Sequence, residues 1–156
     1  MAHRFDFSPK EPITEPTTIR ELKSWMEENG CNFLSYEVDS ASIAEGHILA
    51  SVGSSYHWIY TERGVERVIE RFANERDAVS FAYHEIKTDG WAWSHMVGFV
   101  KERKELNVLK GCLTNMQIPY YEDSIPYGGS DDLRFRVYVH GRHAKAVSDL
   151  RTRFGG

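Results

Sequence analysis

The chain has 156 residues, of which 41% are apolar and 27% charged, the balance of a globular protein that buries about 68–70% of its unfolded surface without help from disulfides or metal. A net charge of −4 weakly disfavours nonspecific binding of nucleic acid, which needs clustered Lys and Arg, and no apolar run reaches the roughly 20 residues that span a bilayer. Cys31 and Cys112 lie far apart with no CxxC spacing, which reads as reduced thiols rather than a disulfide framework.

Residues 1–16 are polar and carry Pro9, Pro12 and Pro16. Proline fixes φ and removes a donor, so this stretch reads as an extended arm pinned by Phe5 and Phe7, ahead of a single domain over residues 17–156. The opening residues hold no apolar segment of the secretory kind, which predicts a cytoplasmic protein. A helix follows. Thr18 and Glu21 have capping-box spacing, Ile19, Leu22, Trp25 and Met26 form a stripe at helical period, and Gly30 suits the left-handed stop.

Strands are predicted over 32–38, 47–52 and 56–61, with Gly53-Ser54-Ser55 as the turn between the last two. Trp58 and Tyr60 share one face and His57 and Ile59 the other, because strand side chains alternate. Residues 65–72 fit either period, but their β-branched content and the preceding Glu62-Arg63-Gly64 turn favour a hairpin strand. Asn74 then caps a helix with Asp77 at its third position, and Ala78, Phe81, Ala82 and Ile86 form its inner face. Trp91 and Trp93 sit in a connector. A helix over about 100–116 turns Leu106, Leu109, Leu113 and Met116 inward; Gly111 inside it costs about 1 kcal/mol relative to Ala, which close packing would explain. Pro119 stops that helix, residues 118–133 read as a long loop, 133–140 as a strand, and about 143–153 as a last helix burying Val147 and Leu150. The order predicts an α+β fold: an antiparallel sheet of about four to five strands with helices packed mainly on one face.

No residue pattern in the sequence marks a catalytic, cofactor or metal site. His140 and His143 are separated by a glycine-containing junction, His84 and Glu85 are adjacent on a helix and point apart, and no HExxH or Cys pair supports them. Gly53-Ser54-Ser55 lacks the nucleophile elbow. The acidic and aromatic stretch is more suggestive. Tyr120, Tyr121, Glu122, Asp123, Tyr127, Asp131 and Asp132 are interrupted by no Lys or Arg. A solvated loop is the plain account. A protein-binding surface is the sharper one, with tyrosines as anchors and carboxylates steering a basic partner.

Trp58-Ile59-Tyr60-Thr61-Glu62-Arg63-Gly64, followed by Phe72, Glu75 and Ala78, resembles a pattern of bacterial polymorphic-toxin immunity proteins, including those of contact-dependent growth inhibition. There an aromatic strand runs into Tyr-x-Glu-Arg-Gly, and Phe-x-x-Glu-x-x-Ala opens a helix. The resemblance implies a small cytoplasmic non-enzyme, without cofactor, that binds and neutralises a cognate toxin domain such as a nuclease by occlusion, with no nucleic-acid or membrane partner. It implies that residues 58–78 are scaffold, since such proteins diversify at their contact surfaces. Two other readings stay open: a small enzyme using His84, His95 or His140, and a regulatory adaptor that takes a small ligand in an aromatic pocket.

Overall fold

The computed structural model describes residues 7–39 and 43–155; Phe5 lies outside them. The described residues form two compact units, one over Ser8–Trp93 and one that joins Phe7 to residues 94–155.

In the first unit, helix α1 (Ile19–Glu28) starts at a complete capping box. Thr18 Oγ1 accepts the Glu21 N–H at 3.1 Å and Glu21 Oε1 accepts the Thr18 N–H at 3.2 Å, so two orphan donors are satisfied reciprocally. Leu22, Trp25 and Met26 are buried, with Trp25 edge-on to Tyr83 at 4.9 Å and to Trp93 at 5.2 Å. The proline-bearing stretch is fastened by polar contacts: the Lys10 N–H donates to Asn29 Oδ1 at 2.7 Å, and Trp25 Nε1 donates to the Lys10 carbonyl at 2.8 Å.

Four strands form the sheet of this unit: β1 (Tyr36–Glu37), β2 (Glu45–Val52), β3 (Ser55–Glu62) and β4 (Val65–Phe72), in the order β1-β2-β3-β4. β1 runs parallel to β2 and the other pairs are antiparallel. The strand expected over 32–38 shrinks to two residues because Asn32 folds its neighbours into a turn. Its side chain accepts the Leu34 N–H at 2.9 Å and its carbonyl the Ser35 N–H at 3.1 Å, local bonds that compete with a ladder. Residues 65–72 are strand. Arg63 (φ 53) and Gly64 (φ 79) both take positive φ, as a two-residue type I′ hairpin turn requires.

Helix α2 (Glu75–Thr88) begins where Asn74 accepts the Asp77 N–H at 2.9 Å. It buries Ala78, Val79, Ala82, Tyr83 and Ile86 between α1 and the sheet, while Phe81 is only half-buried. A 3-10 turn over Gly90–Trp93 follows, and Trp93 Nε1 donates to the Ile86 carbonyl at 3.2 Å.

The second unit contains β5 (Ser94–Val100), α3 (Arg103–Asn115), β6 (Tyr121–Pro126), β7 (Leu133–His140), α4 (His143–Ala146) and α5 (Ser148–Phe154). Its antiparallel sheet has the order β5-β7-β6. Val97, Val137 and Val139 from the strands meet Leu106, Leu109, Leu113 and Phe154 from the helices in one buried cluster.

The fold departs from the sequence expectations at several elements. β5 replaces part of the connector and the start of the predicted helix; a bulge between Met96 and Gly98 breaks its alternation, which hides the strand period. β6 occupies the middle of the predicted loop, where Asp123, Ser124 and Pro126 are poor strand formers. The last helix is two pieces, interrupted at Val147. Gly111 is not closely packed: a Cβ there would meet nothing within 4 Å. The class is α+β, with the strands shared between sheets of four and three. No helix among the described residues is long and apolar enough to cross a membrane.

Candidate functional site

The acidic and aromatic stretch is built into the three-stranded sheet. Tyr121, Glu122 and Asp123 belong to β6, and Tyr127, Asp131 and Asp132 to the hairpin joining β6 to β7. Tyr120 packs against the buried cluster, and Tyr121 stacks on Tyr138 at 6.1 Å. The carboxylates meet cations that the segment itself lacks. Glu122 pairs with Lys110 of α3 at 2.9 Å. Asp123 takes a bidentate pair from Arg136 of β7, at 2.8 and 2.6 Å, and that pairing raises the Arg136 pKa further above its ordinary value. Asp132 pairs with Arg134. Bidentate guanidinium–carboxylate bonds fix geometry as well as charge, so these groups first hold the sheet together. Tyr127 is different: it is 63% exposed, edge-on to Phe99 at 5.4 Å and under the Arg134 guanidinium at 4.8 Å. Asp131 beside it is exposed.

The histidines scatter. His84 is exposed and lies 3.4 Å from Glu15, His143 is exposed, and His95 is half-buried on β5. His140 sits 3.2 Å from Ser94 Oγ, both 2% exposed, with Phe7 stacked on its ring at 5.5 Å. That puts a hydroxyl beside a base, but inside the unit, away from solvent. Among the described residues no three His, Cys, Asp or Glu side chains assemble as a metal site. Burial raises the pKa of the Cys31 thiol well above its ordinary value, with Glu37 and Asp89 adding to it, so this cysteine stays protonated.

Sequence reasoning missed a stacked array in the first unit. His47 is the ladder partner of Tyr36 on one side and of Tyr60 on the other. Its ring lies 5.6 Å from Tyr36, 5.3 Å from Trp58 and 5.0 Å from Tyr60. The Tyr36 hydroxyl donates to Asp89 Oδ2 at 2.5 Å. Burial, then that hydrogen bond, raises the Tyr36 pKa. Burial lowers the His47 pKa, against the opposing pull of Glu85 and Asp89. The available signal was the shared face of Trp58 and Tyr60; the register that adds His47 and Tyr36 is set by pairing across strands.

The array leads outward. Trp58 meets Phe81 of α2 at 6.0 Å, and Phe81 meets Phe72 at the end of β4 at 5.3 Å. These two phenylalanines line an open cleft of about 550 Å³. Asp77 and Glu85 also line it, with Ser80, His84 and Thr88. Positions 77, 81, 85 and 88 recur at helical period and so form one stripe on α2. The cleft is lined by two phenyl rings, the His84 imidazole and two carboxylates, and by neither Lys nor Arg.

No family model, curated protein or solved structure matches the chain.

Proposed function

We propose that this protein is an inhibitor that binds a cognate bacterial toxin domain and blocks its active site, acting as a cytoplasmic immunity protein. The observation that carries the reading is the structural use of the resembling pattern. Trp58 and Phe72 both pack on Phe81. Arg63 and Gly64 make the positive-φ turn of the β3–β4 hairpin. Glu75 Oε2 accepts the Ile19 N–H at the start of α1 at 2.9 Å, and Ala78 is fully buried. Six residues of the pattern thus have tasks in the continuous β3–β4–α2 framework, which is what a shared framework with divergent contact surfaces needs. The net charge of −4 suits a basic substrate groove as target. Glu122, Tyr127 and Asp131 are the exposed members of the acidic and aromatic stretch, and among the described residues Tyr127 and Asp131 have no carboxylate–cation pair of the kind that holds Glu122 to Lys110.

The test is co-expression with the toxin domain encoded beside this chain. Growth is expected to be restored, and the purified pair to form a stable complex. Full toxicity in the presence of folded protein would overturn the proposal.

A further inference from the structure

We propose that the cleft between α2 and the end of β4 is a binding site for an arginine side chain of a protein partner. This rests on the protein-binding reading above and adds the chemistry of one anchor at the edge of the scaffold: Phe72 and Asp77 of the cleft belong to residues 58–78, while Ser80, Phe81, His84, Glu85 and Thr88 lie beyond them. Phe72 and Phe81 are half-buried, so part of each ring remains accessible in the cleft. Phe81 lies one helical turn from Asp77 on one side and one from Glu85 on the other. A cation over Phe81 would therefore be attracted by a ring quadrupole and by two carboxylates at once. Among the described residues Glu85 has no ion-pair partner. Glu15 reinforces the sign of the field: it accepts from Ser80 Oγ at 3.0 Å and lies 3.4 Å from His84 Nε2.

The occupant is a guanidinium rather than an ammonium because both kinds of wall are used. A planar guanidinium lies flat on a ring while its edge donates to a carboxylate, and it is weakly hydrated. An ammonium is a strongly hydrated point charge that gains less from the rings. The arginine stem covers apolar surface while its head stays polar, which fits a cleft with an aromatic floor and an acidic rim.

The experiment is an amide NMR titration of the full chain with N-acetyl-arginine methylamide, and with its citrulline and lysine analogues. Saturable shifts are expected at Phe81, His84 and Glu85 with the arginine probe, with at least fivefold weaker binding of the lysine analogue and none of the uncharged citrulline analogue. Glu85→Gln should weaken arginine binding at least fivefold, while Glu105→Gln on α3, exposed and in the other unit, should leave it unchanged. Absence of saturation, or equal binding of citrulline, would overturn the site. The same Glu85→Gln change should raise the dissociation constant for the toxin domain at least tenfold; an unchanged constant would also overturn it. Growth rescue without arginine binding removes the cleft and keeps the inhibitor. Arginine binding without rescue removes the inhibitor and leaves an arginine site awaiting another protein.

Discussion

Gly98 shows how one missing methyl group sets a packing distance. A Cβ built there would lie 2.3 Å from Leu109 Cδ2 and 3.5 Å from Val137 Cβ, and Leu109 and Val137 are fully buried. Leu109 therefore has little room to yield. Gly98→Ala is expected to destabilise the protein by about 1–3 kcal/mol through overpacking. Adding Leu109→Ala, itself costing about 2–5 kcal/mol, should give a total below the sum of the two, and a double-mutant cycle by urea denaturation measures the difference. Additivity would mean that the clash is not the cause. His47 makes the second residue-scale prediction. Its folded pKa is lowered, chiefly by burial, so the unfolded chain binds more protons between that folded value and the ordinary value of about 6.5. Stability from this group is complete above the ordinary value and falls as pH drops toward the folded one. Glu85, Asp89 and Arg67 face the same ring electrostatically. Thermal melts from pH 7.5 to 5.5 should show a falling midpoint, with a smaller slope in His47→Phe. At this scale the caps were legible: Thr18 with Glu21 and Asn74 with Asp77 bond as their spacing implies, because a cap is decided within four residues of chain. The pairing of Asp123 with Arg136 was not, because its partners lie on different strands.

An element is legible when its own residues carry the period. α1, α2 and the strands β2, β3 and β7 are of this kind, while β4, whose residues fit either period, is marked by its β-branched content and the turn before it. β5 and β6 are not: one is bulged between Met96 and Gly98, and in the other Asp123 pairs with Arg136 of the neighbouring strand. Helix α3 tests the difference between local propensity and tertiary need. Gly111 lies inside it, exposed, with open space where a Cβ would be. Close packing therefore does not explain the glycine, and only its backbone entropy remains. Gly111→Ala should stabilise the protein by about 1 kcal/mol. Chemical denaturation measures it, and a neutral or destabilising result would mean that α3 bends or moves at this point.

For the whole molecule, composition and element order lead to the α+β class but not to the division of strands into two sheets, because sheet membership is fixed by which strands pair. The same limit applied to the candidate surface. Along the chain, residues 118–133 look like an uncompensated acidic loop; in the folded protein Lys110, Arg134 and Arg136 meet three of its carboxylates. What survives at long range is the total charge of −4, and charge at long range acts on encounter more than on the bound state. If the partner is a toxin with a basic groove, association should slow by about tenfold or more as salt rises from 50 to 500 mM, since the Debye length shrinks from about 14 to about 4 Å. Dissociation should change much less. Tyr127→Ala with Asp131→Ala should divide the same way: loss of the ring acts mainly on the dissociation rate, and loss of the rim charge on association. Stopped-flow mixing with the toxin domain separates the two rates. A salt-independent association rate would remove charge steering from the proposal, and a double variant with unchanged rates would move the contact surface away from the β6–β7 hairpin.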